Sequence, residues 1–280
     1  MKTTTRLRQM ITGDGIHVAP GVFDGLTARL VEQAGFDVLY ASGGAIARSA
    51  GIPDIGLLSV TEVSAKLAEM ADVTTIPIIA DADTGFGNQL NAVRTLAAYE
   101  RIGVAGLHIE DQTSPKRCGH LDGKTLESVD DMVLKLRSLV RARIDPDFVI
   151  IARTDAIAVD GLDAALDRAR AYLDAGADVI FVEAPETVEQ IEAVAAAIPE
   201  PKLINMFYGG KTPLVDRERL RELGYRLVII PSDLQRATIT ACQRTLEAIL
   251  RDGDSASVSE GLVSFADREL IVRTPDYLAI

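Results

Sequence analysis

The sequence alternates between short apolar runs and amphipathic stretches along almost its whole length, and this alternation restricts the fold more than any other feature. Eight runs, each four to seven residues long and rich in β-branched or aliphatic residues, are typical of buried parallel strands. They are His17–Phe23, Val38–Ala41, Ile76–Ala80, Ala105–Ile109, Phe148–Ala152, Val179–Val182, Lys202–Met206 and Arg226–Ile230. The helical stretches that follow them are Gly25–Ala34, Val60–Ala71, Leu90–Ile102, Val129–Ala142, Leu162–Ala175, Val188–Ala197, Asp216–Leu223 and Leu234–Arg251.

Eight βα units in a chain of 280 residues predict a (β/α)8 TIM barrel of the α/β class. A doubly wound open sheet is the alternative, but that fold usually has a glycine-rich turn after its first strand, whereas Phe23-Asp24-Gly25 follows here. No linker interrupts the alternation, so residues 1–280 are predicted to form a single domain. Residues 252–280 are polar and then weakly helical, which predicts a C-terminal extension packed on the barrel or on a neighbouring subunit.

The charge balance argues against two classes of partner. A net charge of −12 is unsuited to nucleic acid or an anionic membrane surface, both of which need clustered Lys and Arg. The N-terminus does not resemble a secretory signal, and no apolar run is long enough to span a bilayer. We therefore expect a cytoplasmic protein with free cysteines. Cys242 lies among apolar residues on a helical face and is interpreted as a core residue, whereas Cys118 is available for chemistry.

Polar residues follow nearly every predicted strand, at the end of the barrel where active sites lie. They are Ser42-Gly43-Gly44, Asp81 and Asp83, Glu110-Asp111, Arg153-Thr154-Asp155, Glu183, Asn205 and Ser232-Asp233. Side chains alternate in direction along a strand, so not all of these groups can face the barrel axis. Ordinary loop polarity explains the adjacent turns, but it does not explain Arg153 and Glu183 directly after apolar runs.

Asp81 and Asp83 are the clearest candidates for a metal site. Two carboxylates at positions i and i+2 of a strand end repel each other unless a cation lies between them or their pKa values shift. Oxygen ligands without a nearby His or Cys favour Mg²⁺, with Mn²⁺ as the alternative, and Glu110 on the next strand is the natural further ligand. The competing interpretation is that one Asp caps the next helix while the other is solvated.

The segment Ser114–His120 predicts a mobile loop at the catalytic end. Lys116, Arg117 and His120 flank Cys118, and adjacent positive charge lowers the pKa of a thiol from about 8.5. Such a thiol suits a general acid or base, or a nucleophile. Gly119 suits a lid, although a chance cysteine in a basic loop is the alternative.

Two further groups are candidates for binding anions. Arg153 can hold a carboxylate in bidentate fashion. Ser42, Gly43 and Gly44 offer a hydroxyl and unobstructed backbone N–H groups for a second carboxylate. Of the two histidines within strands, His17 is interpreted as structural and His108 as support for the site.

Five motifs in order resemble the isocitrate lyase and phosphoenolpyruvate mutase superfamily, over nearly the whole chain from Pro20 to about Leu250. They are Tyr40-Ala41-Ser42-Gly43-Gly44, Asp81-Ala82-Asp83-Thr84-Gly85-Phe86-Gly87, His108-Ile109-Glu110-Asp111-Gln112, Lys116-Arg117-Cys118-Gly119-His120 and Arg153-Thr154-Asp155. The resemblance implies a barrel whose last helix is exchanged with a neighbour, usually in a homotetramer. It also implies Mg²⁺ near Asp83, with the further carboxylates holding it mainly through water; these are Asp54, Asp81 and Glu110. The residues that it implies for substrate are Ser42, Gly43, Gly44, Gly119, Arg153, Glu183 and Asn205.

The Lys-Arg-Cys-Gly-His segment looks like the lyase branch, in which the cysteine protonates the fragment left after C–C cleavage. The chain lacks the large insertions of isocitrate lyase and is similar to methylisocitrate lyase and 2,3-dimethylmalate lyase; Asn205–Pro213 is closer to the latter. We therefore expect a Mg²⁺-dependent carbon–carbon lyase that acts on a small 2-hydroxy di- or tricarboxylic acid. The expected catalytic residues are Cys118, Lys116, His120 and Tyr40, with metal-bound water as the alternative base to Tyr40. Oxaloacetate hydrolysis or decarboxylation, phosphonate chemistry and a non-catalytic metabolite-binding barrel remain the alternatives.

Overall fold

A closed barrel of eight parallel strands lies at the centre of the molecule. The structure is a computed structural model that describes residues 1–119, 121 and 123–280. Its strands are β1 (His17–Val22), β2 (Leu39–Ala41), β3 (Ile78–Asp81), β4 (Gly106–Glu110), β5 (Val149–Thr154), β6 (Val179–Val182), β7 (Lys202–Asn205) and β8 (Tyr225–Ile230). Each strand pairs with the next along the chain, and β8 pairs with β1. The predicted (β/α)8 barrel is therefore confirmed, and the open sheet, which would leave two free edges, is wrong.

Helices surround the barrel, and all eight predicted ones are present with ends that differ by at most one residue. The helices are α1 (Thr3–Thr12), α2 (Gly25–Gln33), α3 (Gly43–Ser49), α4 (Val60–Ala71), α5 (Gln89–Ile102), α6 (Val129–Ala142), α7 (Ile157–Asp160), α8 (Leu162–Asp174), α9 (Val188–Ala197), α10 (Arg217–Glu222), α11 (Asp233–Asp252), α12 (Phe265–Ile271) and α13 (Thr274–Leu278). A 3₁₀ helix (Ala256–Gly261) precedes α12. Polar caps define several helix starts; Ser59, for example, accepts a hydrogen bond from the Glu62 N–H and receives the Glu62 carboxylate in return.

Helix α1, which the sequence patterns did not reveal, covers the N-terminal end of the barrel. Leu7 and Ile11 are almost completely buried in the same apolar cluster as the side chains inside the barrel. A Cβ atom on Gly106 would lie 3.0 Å from Leu7 Cδ2, so β4 comes close to the helix at this point. The Arg8 guanidinium adds an ion pair with Asp178 at 2.6 Å. The segment is mostly polar, and two apolar residues four apart are too weak a periodic signal.

Alternation along the strands separates two apolar layers. On β5, Val149 and Ile151 belong to the cluster inside the barrel, whereas Ile150 and Ala152 pack against the helices outside. Arg153 follows in the inward phase, and Thr154 follows in the outward phase. The directions of Arg153 and Thr154 are thus set by the apolar residues before them.

The C-terminal region is helical, as predicted, but much of its apolar surface is exposed. Within the twenty residues of α11, the buried side chains are those of Gln235 and Ala248. Leu246 and Leu250 are exposed, and so is Cys242, so the prediction that Cys242 lies in a core is wrong. The apolar side of α11 that contains it is not covered by any described part of the chain. Among the described residues, no helix combines the length and apolar character needed to cross a membrane.

Replacing Leu7 by alanine should destabilise the fold, because α1, which covers the N-terminal end of the barrel, would lose a buried side chain and a cavity would remain. We expect Leu7→Ala to lower the free energy of unfolding by about 3 kcal/mol, measured by urea denaturation. Leu90→Ala, at an exposed position, is the matched control and should change it by less than about 0.5 kcal/mol. Equal stability of the two variants would show that packing of α1 on the end of the barrel does not contribute to the free energy of unfolding.

Candidate active site

A cavity of about 620 Å³ opens at the C-terminal end of the barrel. It brings together many of the residues predicted for the site, namely Tyr40, Ser42, Gly44, Asp54, Asp81, Lys116, Cys118, Gly119, Arg153, Glu183 and Asn205. Asp83 lines the crevices next to this cavity, and Glu110 is buried beside Arg153. His120, also predicted to be catalytic, lies outside the described residues.

The carboxylates predicted to bind metal are arranged around a lysine. Lys116 Nζ lies 2.5 Å from Asp54 Oδ1 and 2.8 Å from Asp83 Oδ1. Although burial alone would lower the pKa of Lys116, the surrounding carboxylates, Asp83 and Glu110 above all, raise it well above its usual value. Within the described part of the chain, no three Asp, Glu, His or Cys side chains form one metal-binding cluster.

The acidic groups nevertheless fit a cation. Glu110 Oε1 is buried and accepts no hydrogen bond from any described residue, and Asp83 Oδ1 has the Lys116 ammonium nearby without a well-formed hydrogen bond. Burial raises the pKa of Asp83 to about 6, and it raises the pKa of Glu110 well above its usual range. Buried carboxylate oxygens of this kind are stabilised by a hard cation such as Mg²⁺.

The backbone at Asp83 is held in a rare conformation. Asp83 has a φ of 44°, which lies in the left-handed region, and Gly85 and Phe86 after it are also left-handed. Neighbouring elements help to hold this turn: the Glu110 N–H donates to the Asp83 carbonyl (2.9 Å), and Lys135 Nζ on α6 donates to the Thr84 carbonyl (3.0 Å). The turn directs the Asp83 carboxylate towards Lys116.

Asp81 has different partners from Asp83. Its Oδ2 atom accepts hydrogen bonds from the Tyr40 hydroxyl and the Gly43 N–H, both at 3.1 Å. The Tyr40 hydroxyl also lies 2.7 Å from His108 Nε2. Burial, and then the nearby Asp81 charge, raise the pKa of Tyr40 well above its usual value, while burial lowers the pKa of His108 to about 4. Tyr40 therefore keeps its proton at neutral pH and donates it in a hydrogen bond. His108 thus lies next to Tyr40 and Asp81, whereas His17 pairs with Asp37 at the opposite end of the barrel.

Arg153 is the charged centre of the cavity. Its Nε and Nη2 atoms donate to the two oxygens of Asp155 at 2.9 and 3.0 Å. Glu110 Oε2 lies 3.3 Å from Nε, and Glu183 Oε1 lies 3.7 Å from Nη2. Burial alone would lower the pKa of Arg153, but Asp155, Glu110 and Glu183 raise it well above its usual value. A permanently charged guanidinium thus lies at the cavity wall, where it can attract a substrate carboxylate.

The Ser42-Gly43-Gly44 segment forms the start of a helix. The strand signal ends at Ala41, and two glycines disfavour a helix, so α3 was not predicted. Ser42 caps it by accepting a hydrogen bond from the Ala45 N–H. Glycine is needed because a Cβ atom at Gly43 would lie 2.6 Å from Asp81 Oδ2, and one at Gly44 would lie 2.8 Å from Asp54 Oδ2.

The cysteine loop, which is the segment between Gln112 and Leu126 that contains Cys118, packs through Gly119 on the Arg153–Glu183 pair. Its two stems pair through an antiparallel bridge between Gln112 and Leu126. A Cβ atom at Gly119 would lie 2.2 Å from Glu183 Oε1 and 2.4 Å from Arg153 Nη2, so glycine alone fits there. Cys118, the residue before it, is not in a disulfide bond; it lines the cavity and is partly exposed.

Several residues of the site were not predicted. Arg48, Phe207, Lys211 and Arg236 also line the cavity. Buried polar partners support it from behind; these are Asp155, Lys124 and Gln112. In the sequence, most of these are polar or aromatic residues in a loop or on a helix. Exposure to solvent would explain a residue of that type in such a place as well as a role in the site would. For Asp155 the sequence did contain an indication of a role in the site. It follows Arg153 by two residues at the end of a strand, the same spacing that made Asp81 and Asp83 candidates.

Comparisons with known proteins find relatives that match most of the chain. A family described as phosphoenolpyruvate phosphomutase matches residues 7–250. The chain is 41% identical to 2,3-dimethylmalate lyase of Eubacterium barkeri, over 95% of this chain and 93% of the relative. It is 48% identical to probable 2-methylisocitrate lyase 1 of Corynebacterium glutamicum, over 85% and 79%.

Solved structures show the same fold. A crystal structure of 2,3-dimethylmalate lyase, described as a member of the phosphoenolpyruvate mutase/isocitrate lyase superfamily, superposes with a TM-score of 0.94 at 36% identity, covering 100% of this chain and 94% of that one. Oxaloacetate acetylhydrolase superposes with 0.92 at 33% identity, covering 99% and 95%. Phosphonopyruvate hydrolase, in complex with oxalate and Mg²⁺, superposes with 0.91 at 30% identity, covering 100% and 98%.

A side chain at position 119 should push the cysteine loop away from the barrel. We expect Gly119→Ala to increase the rate of tryptic cleavage after Lys116 and Arg117 about tenfold, because a segment that opens locally is cut more rapidly. The melting temperature should be unchanged. Gly261→Ala, at a glycine with open space around it, is the control. Cleavage of Gly119→Ala at the rate of this control would show that the loop does not rest on Arg153 and Glu183.

Proposed function

This chain belongs to the phosphoenolpyruvate mutase and isocitrate lyase family, and on that premise we propose that it is a metal-dependent carbon–carbon lyase. One observation carries the proposal: Cys118 lines the same cavity as a permanently charged arginine, on a loop that rests on that arginine. A thiol beside an anion-binding group is what protonation of a carboxylate fragment requires.

The substrate is a small 2-hydroxy di- or tricarboxylic acid. Arg153 attracts one carboxylate, and Ser42 and the Gly44 backbone are available to a second at the start of α3. Glu183 and Asn205, which share a hydrogen bond of 3.2 Å, complete the wall of the pocket. The two named relatives act on 2,3-dimethylmalate and 2-methylisocitrate, so the candidates are acids of these two types.

Mg²⁺, with Mn²⁺ as a substitute, is the proposed cofactor. Asp83 and Glu110 each have a buried carboxylate oxygen without a well-formed hydrogen bond from a described residue, and Asp54 and Asp81 lie next to them. When bound, the ion supplies Lewis-acid polarisation of the substrate hydroxyl and carboxylate. The complex of phosphonopyruvate hydrolase with oxalate and Mg²⁺ supports this choice.

The proposed reaction requires two proton transfers. The substrate hydroxyl loses its proton, its oxygen forms the carbonyl of a 2-oxo acid, and the adjacent C–C bond breaks. The electron pair of that bond passes to the departing carboxylate fragment, and the Cys118 thiol protonates that fragment at carbon. Lys116 stabilises negative charge nearby. Tyr40 is the candidate base, although it would first have to transfer its proton to Asp81 or His108, its two hydrogen-bond neighbours.

Oxaloacetate hydrolysis is the second candidate function. It is supported by the likeness to oxaloacetate acetylhydrolase, but that structure superposes at 33% identity, against 36% for 2,3-dimethylmalate lyase. This reaction would consume oxaloacetate and release no 2-oxo acid from a 2-hydroxy acid.

The function can be tested by assaying 2-oxo acid release from 2,3-dimethylmalate and 2-methylisocitrate, with oxaloacetate consumption measured in parallel. We expect one of the hydroxy acids to yield pyruvate together with one equivalent of a carboxylate. EDTA should abolish the reaction, and excess Mg²⁺ should restore it. Consumption of oxaloacetate alone would contradict the lyase and favour the hydrolase.

In the same assay, Cys118→Ser should lower turnover by roughly 10³-fold without altering the melting temperature, because general acid catalysis typically contributes a factor of this size. Cys242→Ser is the matched control and should retain full activity. Activity of Cys118→Ser within a few-fold of the parent would exclude the thiol as the proton donor.

The apolar side of α11 supports assembly into an oligomer, for which we propose a homotetramer with exchanged helices. Ile239, Leu246 and Leu250 on α11 are exposed, as are Phe265 and Tyr277 near the C-terminus. Surface of this kind marks an interface between proteins. Sedimentation velocity at micromolar concentration should give four times the mass of the 30.0 kDa chain. A monomer under these conditions would contradict the proposal.

A further inference from the structure

Among the described residues, the side chains of Lys116, Gln112 and Lys124 each hold part of the cysteine loop in place. Lys116 Nζ contacts Asp54 and Asp83, as described above. The Gln112 side chain binds the backbone of Arg117 twice: its Oε1 accepts from the N–H at 2.9 Å, and its Nε2 donates to the carbonyl at 2.8 Å. These two attachments lie on the N-terminal side of Cys118. The third lies on its C-terminal side, and Lys124 forms it.

Lys124 is buried, although the residues directly before and after it are exposed. Its ammonium group donates to the Gly119 carbonyl at 2.5 Å and to Asp155 Oδ1 at 2.9 Å. The side chain is 1% exposed and that of Asp155 is 0% exposed, whereas Gly123 and Thr125 on either side of the lysine are exposed. Burial of an ammonium group is unfavourable unless its partners are well placed, so a lysine that merely increases solubility would not lie here.

The two partners of Lys124 belong to different parts of the site. Gly119 is the residue after Cys118, and its backbone packs on the Arg153–Glu183 pair. Asp155 holds Arg153 through two hydrogen bonds. One oxygen of Asp155, Oδ1, is shared by Lys124 Nζ and Arg153 Nη2, at 2.9 and 3.0 Å. The loop carbonyl, the lysine, the aspartate and the arginine therefore form a continuous chain of contacts.

We propose that Lys124 is a positioning residue that couples the anion site at Arg153 to the closed position of the cysteine loop. A carboxylate that binds Arg153 competes with Asp155 for the guanidinium and leaves Asp155 Oδ1 more strongly paired with Lys124. The ammonium then holds the Gly119 carbonyl, and with it Cys118, over the cavity. The inference rests on the proposed function for its catalytic consequence, but the coupling itself does not depend on which reaction occurs.

A merely structural role is the alternative interpretation. In that case Lys124 neutralises the buried Asp155, and its removal changes stability but not the response of the loop to an anion. The distinction requires a measurement on the loop, and Cys118 itself provides the probe.

The experiment is the rate of alkylation of Cys118 by iodoacetamide in a Cys242→Ser background, followed by mass spectrometry with and without Mg²⁺ and oxalate. In the parent we expect oxalate to slow alkylation about tenfold by closing the loop. In Lys124→Met, alkylation without oxalate should be faster than in the parent, and the protection by oxalate should be lost. Lys124→Arg, which keeps the charge and a donor, should recover part of the protection. Lys66→Met, in an exposed ion pair with Glu69, should behave as the parent.

Turnover provides an independent readout. With the substrate that the lyase assay identifies, Lys124→Met should lower kcat roughly 100-fold and change KM less than threefold, because the proton donor is misplaced while the binding groups remain. If no lyase activity is found, the proposed function fails but the alkylation result still decides the coupling.

Undiminished protection by oxalate in Lys124→Met would overturn the proposal, and so would absence of protection in the parent. Should Lys124→Met unfold, as a melting curve would show, Lys124→Gln keeps a hydrogen-bond donor in place and the same comparison applies. Protection in that variant equal to the parent would likewise contradict coupling through the ammonium group.

Discussion

The buried guanidinium of Arg153 is the interaction on which the rest of the site depends. A single charge in this position would be strongly unfavourable, and the barrel supplies Asp155, Glu110 and Glu183 to compensate it. These acids come from the ends of three neighbouring strands. The register that pairs Glu110 with Arg153 places this acid next to the guanidinium. The closed barrel is what makes this possible, because it directs the ends of separate strands at one point. Removing Asp155 would cost the guanidinium both of its hydrogen bonds to that carboxylate, at 2.9 and 3.0 Å.

A second polar layer supports the first from outside the barrel. Asp111, in the outward phase of β4, accepts hydrogen bonds from Thr154 Oγ1 and the Tyr172 hydroxyl, both at 2.7 Å. It also accepts from the Asp155 N–H at 2.9 Å, so it fixes the backbone that presents the partner of Arg153. Lys135 likewise fixes the backbone of the turn after Asp83, because its ammonium group donates to the Thr84 carbonyl. The groups that face the cavity are therefore held by groups that face the helices.

Much of the fold could be predicted because periodicity reports burial, and burial follows from apolar residues. The strands and the eight barrel helices have this signal. Helix α1 does not, since Leu7 and Ile11 stand in a polar segment, and α3 begins with two glycines that favour a turn. The candidate site was predicted from polar residues after apolar runs, which identified Arg153 and Glu183. That signal does not extend to Lys124, whose burial results from the loop folding back over it.

The sequence by itself determined the architecture and the chemical types at the strand ends, because both depend on residues that are close along the chain. The tertiary structure alone decided which of these groups meet. Asp81 and Asp83 are two residues apart, yet Asp81 is bound by Tyr40 whereas Asp83 faces Lys116, because a left-handed turn separates them. Contacts of this kind join residues tens of positions apart, and their partners are chosen by barrel closure and strand register, which no local pattern contains.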